Sequence, residues 1–155
     1  MELWLVAVVQ WLHVLFAIFW FGSVLTIDFL VIPTALSLPP TVGQSFGSAF
    51  GQRVPKVVTP IGITTILLGI VRGIVGGVLG RLDTAYGVTW IAAFVLATGL
   101  LVYGLRILTP AADRLRQLSG AEFEIAVARI KRLSQAELGG FLVVLVLMIA
   151  MRFGY

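Results

Sequence analysis

His13 is the single histidine of this chain. It lies inside the first apolar run, Leu3 to Leu36, with Gln10 one turn before it and Trp20 two turns after. An ionisable side chain in hydrocarbon is costly unless something uses it, which makes this imidazole the first candidate for chemistry. A neutral imidazole offers one ring nitrogen to a metal and donates from the other to a neighbouring acceptor. Its place about ten residues from the outer end of the run puts it about 15 Å deep, near mid-bilayer. The plainer alternative is a helix-helix hydrogen bond to Thr98 or Tyr103. Arg72 is the second unusual residue, about 12 Å below the outer end of its own apolar run by the same rise per residue. No carboxylate of the chain is expected at that level, so the guanidinium calls for a cofactor carboxylate or a lipid phosphate, or else snorkels to the interface. Met148 reaches nearly the depth of His13, and methionine is a familiar haem partner of histidine, although a Met in such a run more often packs.

The elements that must position these groups are membrane spans. Of 155 residues, 59% are hydrophobic and 12% charged, whereas soluble domains average about 45 to 50% and about 25%. Four runs approach the roughly 20 apolar residues that a crossing needs: Leu3 to Leu36, Val57 to Leu79, Val88 to Leu108 and Leu138 to Phe153. The expected fold is all-α, a single integral-membrane four-helix bundle over residues 1–155. The first run is too long for a signal peptide and reads as a retained helix, stopped by Pro33 and the pair Pro39 and Pro40. Ser37 to Pro55 reads as a surface loop with a short interfacial or re-entrant turn. Gly80 to Gly87 is short enough to make the second and third spans an antiparallel hairpin.

Between the third and fourth spans an amphipathic cytoplasmic helix is expected, as an extension of the last span. Ser119 and Glu122 fit a capping box, and Phe123, Ile125, Val127, Ile130 and Leu133 form an apolar side against Arg129, Lys131 and Arg132. Glycines 62, 69, 73, 76, 77 and 80 include small-x-x-x-small steps that admit another backbone or a flat ligand. Asp28 and Arg106 are expected to pair near the cytoplasmic ends of their helices.

With no cysteine, disulfides, thiolate zinc sites and iron-sulfur clusters are excluded. The net charge of +4 comes from basic residues gathered in loops. Arg53, Lys56, Arg114, Arg116, Arg129, Lys131 and Arg132 lie on one side, against Arg81 and Arg152 on the other, so both termini are expected outside the inner (plasma) membrane. A nucleic-acid partner is not expected, and nothing resembles a hydrolase triad or a phosphate loop.

The run Trp11-Leu12-His13-Val14-Leu15, then Phe19-Trp20-Phe21-Gly22 and Pro33, resembles the first helix of the copper-resistance protein D superfamily and its integral-membrane relatives. Tyr86-Gly87 and Ala136-Glu137-Leu138-Gly139 are similar to patterns opening that family's third and last helices. The broader group includes the bacterial membrane protoporphyrinogen oxidase, which binds haem b through a histidine of its first helix. The resemblance therefore implies a haem-b protein for electron transfer or redox or gas sensing. His13 would be the axial ligand, Met148 or a second protomer's His13 the other, Arg72 would sit near a propionate, and Gly69, Gly73 and Trp20 would lie about the ring. A quinone or redox partner, and a homodimer or larger complex, go with that reading. The alternatives are a cofactor-free accessory subunit of a larger membrane complex and, third, a copper-handling protein, for which one histidine and scattered methionines make a poor path.

Overall fold

A computed structural model describes residues 3–115, 118 and 120–155, and among these the regular structure is helical throughout. Helix α1 covers residues 3–37, as Leu3–Thr26, a π-helical turn Ile27–Val31 and Ile32–Ser37. Helix α2 is Pro40–Val75. Helix α3 covers residues 85–115, with a π-helical turn Gly104–Leu108, and α4 is Gly120–Arg152. All four are long and apolar enough to cross a membrane. Many large apolar side chains point outward and few are buried, with Trp11, Ile18, Phe29 and Val146 among the exposed, the surface that lipid rather than water covers. The chain is a multi-pass membrane protein. Leu3 and Tyr155 lie at one side of the bundle, here the termini side, and the α1–α2 corner, the end of α3 and the start of α4 lie at the far side.

Two expectations about breaks are corrected. Pro33 does not stop α1, because the π-helical turn just before it widens the backbone where a proline ring would otherwise strike the preceding turn. Pro110 follows the π-helical turn of α3 in the same way. The residues from Pro40 onward are not a loop but the first turns of α2. Extended Leu38 and Pro39 make the corner, and Pro40 starts the helix where its missing N–H is no loss. Packing overrides the Gly, Ser and Thr content there, with Phe46 and Phe50 stacked one turn apart at 5.8 Å.

The expected helix between the third and fourth spans is the first part of α4, with no break before the span. Its inward stripe is Phe123, Val127, Ile130, Ser134, Glu137 and Phe141, at steps of three and four. Ile125, expected on the apolar side, is exposed. Ser119 of the capping box, and Arg116, lie outside the described residues. On the termini side Gly77 takes the left-handed conformation (φ 76°) that ends α2. Thr84 Oγ1 caps α3 by accepting from Gly87 N at 3.3 Å. Gly87 has no room for a side chain, since a Cβ would land on the Arg81 carbonyl.

Mid-bundle, Trp20 and Val24 of α1, Leu100 of α3 and Phe141 of α4 form a buried cluster, with Val58 and Ile61 of α2 packed on it. Trp20 meets Phe141 edge to face at 4.9 Å. The face of α1 that carries these two residues also carries His13, seven positions before Trp20, and Asp28, four after Val24. An apolar centre therefore separates one polar layer near the termini side from another near the far side.

Candidate functional site

The termini-side layer holds most of the residues singled out by sequence. His13 is buried (7% exposed), and its Nδ1 lies 3.0 Å from the backbone oxygen of Thr65 on α2. A carbonyl can only accept, so Nδ1 carries the proton and Nε2 the lone pair. The expected partners Thr98 and Tyr103 are not the ones used. Tyr103 donates to Leu133 O at 3.1 Å, and Thr98 Oγ1 is buried with no partner among the described residues.

Glycine is what lets α2 come so near: a Cβ on Gly69 would lie 3.0 Å from His13 Cε1, and one on Gly73 would overlap the indole of Trp90 from α3. These two glycines were expected to flank a flat ligand. The chain's own side chains fill both notches instead, as the tight-packing alternative requires. Gly62 does the same for Trp20, while Gly80 faces open space and makes no packing step.

Arg72 joins this layer as its depth suggested. Its Nε donates to Gln10 Oε1 at 2.8 Å, one turn from His13 on α1. Gln10 is neutral, so it satisfies a donor without balancing the charge. The guanidinium Nη1 runs back over Gly76, one turn nearer the termini side, which is the snorkelling direction. Met148 is half-buried on α4 and, among the described residues, makes no hydrogen bond or ring contact. Trp20 is a packing residue of the centre.

The far-side layer is what sequence reasoning missed. Asp28 was expected to pair with Arg106, but Arg106 is exposed, and Asp28 Oδ1 instead accepts from Ser134 Oγ of α4. Asp28 Oδ2 is buried without a hydrogen-bond partner among the described residues. Glu137, one turn from Ser134, places Oε1 3.1 Å from where a Cβ on Gly104 would be. These groups border a cavity of about 1010 Å³ between the far-side halves of all four helices. Trp20 lines it, but His13, Gly69, Arg72, Gly73 and Met148 do not. The signal in sequence was the spacing Ser134 to Glu137 on a helix that also buries Ile130 and Phe141, facing an aspartate late in the first run.

The residues present fit haem in part. The donor set is suitable for one axial bond, with the second nitrogen already oriented by a carbonyl, but the α2 glycines offer no slot for the ring. For bare metal the fit is poorer, because no group of three or more His, Cys, Asp or Glu able to hold an ion exists among the described residues. No family model, no curated protein and no solved structure matches the chain.

Proposed function

We propose that the protein binds haem b in the membrane for electron transfer or for redox or gas sensing, with His13 as axial ligand. The observation that carries this reading is the bond from His13 Nδ1 to the Thr65 carbonyl, which presents the lone pair of Nε2, as metal-bound histidines are usually held. Bound haem would supply one-electron or gas-binding chemistry at its iron. The chain's own part is to hold the imidazole in one tautomer, keep water away, and set the Arg72 charge one turn from it for a propionate. Met148, or His13 of a second copy across a two-fold axis, would be the second residue to hold the group, and a quinone or protein redox partner would exchange the electron. Both termini face outward from the plasma membrane on this reading, since Arg53, Lys56, Arg114, Arg129, Lys131 and Arg132 all lie toward the far side.

An absorption spectrum of the purified protein, expressed with ample haem, tests the proposal beside His13→Ala. A Soret band in the wild type that the variant loses supports it, and a colourless wild type rejects it. A second reading, a cofactor-free subunit of a larger membrane complex, draws on the filled glycine notches and on the near-complete burial of His13. In that case the imidazole ties α1 to α2, and the wild type is colourless and co-purifies from native membrane with other chains. Copper handling ranks third, and metal analysis of the same two preparations addresses it.

A further inference from the structure

The far-side cavity plays no part in the haem reading, yet it has the properties of a ligand site. Its volume of about 1010 Å³ would admit a drug-sized molecule. Phe46 and Phe50 of α2, Trp20 of α1 and Ile130 of α4 supply apolar wall. The charged residues bordering it are Asp28, Asp113 and Glu137 against Lys131. Lys131 is exposed and lies nearly two turns farther from the centre than Glu137, toward the far side. Asp28 and Glu137 are therefore the deeper charges, and both are acceptors.

Two acceptors in or beside the cavity lack a donor, and a third carboxylate borders it. Asp28 Oδ2 is buried and unpartnered among the described residues, which is rare for a carboxylate oxygen unless a donor is missing. Gly51 and Pro55 both border the cavity, and because Pro55 has no N–H the Gly51 carbonyl lacks its helical donor. The Glu137 carboxylate packs closely over Gly104, where a Cβ would lie 3.1 Å from Oε1. Asp28 and Gly104 each lie in a π-helical turn, a distortion found disproportionately at functional sites.

We propose that this cavity binds an amphiphilic organic cation, a protonated amine on an apolar body, with the ammonium between Asp28 and Glu137 and the body against Phe46, Phe50 and Trp20. An ammonium has three donors and no acceptor, so it answers both carboxylates at once. A neutral alcohol leaves the charges unbalanced, an anion is repelled, and a bare metal ion finds too few ligands.

The test uses the whole protein in phosphatidylcholine nanodiscs, with empty discs subtracted, and radiolabelled dodecylamine, dodecanol and dodecanoate as probes. Dodecylamine is expected to bind saturably at one site, at least about tenfold tighter than dodecanol, with no saturable dodecanoate binding. Asp28→Asn and Glu137→Gln should each weaken the amine by about tenfold or more. Dodecanol binding as tightly as dodecylamine, or amine uptake equal to that of empty discs, overturns the proposal, and neither outcome needs a variant to fold. Because no haem signal is read, this result and the spectrum of His13→Ala stand or fall separately.

Discussion

Gly73→Ala measures directly whether the α2 glycines serve packing or a ligand. A Cβ there would fall within the contact radius of Trp90 Nε1, Cε2 and Cζ2, atoms of a rigid ring that is itself stacked on Phe94 at 6.0 Å. Overpacking of this kind costs about 1 to 3 kcal/mol, while replacing a mid-helix glycine by alanine returns at most about 1 kcal/mol of helix propensity. The clash therefore wins, and Gly73→Ala should lose about 1 to 2 kcal/mol. Gly22→Ala and Gly99→Ala meet nothing within 4 Å, so they keep only the favourable part and should be neutral or more stable. Reversible unfolding in detergent or bicelles, followed by tryptophan fluorescence, gives the comparison. Trp90→Phe removes part of the obstructing indole and should recover about 1 kcal/mol in the Gly73→Ala background, a positive coupling in a double-mutant cycle. If Gly73→Ala is as stable as Gly99→Ala, or Trp90→Phe restores nothing, the notch is not filled by Trp90 and the packing argument is wrong.

Ser134→Ala should destabilise by about 1 to 3 kcal/mol, because it leaves both oxygens of the half-buried Asp28 carboxylate without donors among the described residues; Asp28→Asn, which removes the charge as well, should cost less in the same unfolding assay. Thr84→Ala should cost about 1 kcal/mol by removing the cap of α3, and Gly87→Ala considerably more, since its Cβ meets backbone that cannot yield; thermal melts order the three proteins. The chain has no cysteine, so a single cysteine at Asp83 should react with an impermeant maleimide on intact cells, and one at Arg129 only after permeabilisation. The reverse pattern inverts the topology.

The four spans and the order of their polar residues were legible because hydropathy and the 3.6-residue period act locally, and His13 and Arg72 meet in one layer as equal depth requires. Helix continuity was harder to read. Pro33 and Pro40 look like stops in a sequence window, and only the backbone reveals that a π-helical turn absorbs the first while the second begins a new helix. The composition of Ser37 to Pro55 suggests a loop, but intrinsic propensity is a weak prior, and the segment is helical with Phe46 and Phe50 stacked on each other one turn apart. Partners across helices were the least readable. Asp28 accepts from Ser134 while Arg106 is exposed, and no local pattern encodes which neighbour a residue inside a π-helical turn faces.

That placement of charge has a consequence for how the two polar layers act. Asp28 follows His13 by fifteen residues, about 22 Å along the helix, with Trp20, Val24, Leu100 and Phe141 packed between. At that distance even an effective dielectric near 20 leaves less than about 1 kcal/mol between unit charges, so neither layer sets the other's charge state. Coupling between them must be mechanical, and Trp20 is the shared element nearest to His13 along α1, since it lines the cavity, packs on Gly62 and lies on the same face of α1 as His13. Trp20→Phe should then alter dodecylamine affinity and haem spectrum together if the layers communicate, and only the former if they do not. The geometry favours the second outcome, because the imidazole is anchored to Thr65 by its own bond and does not depend on the indole for its orientation.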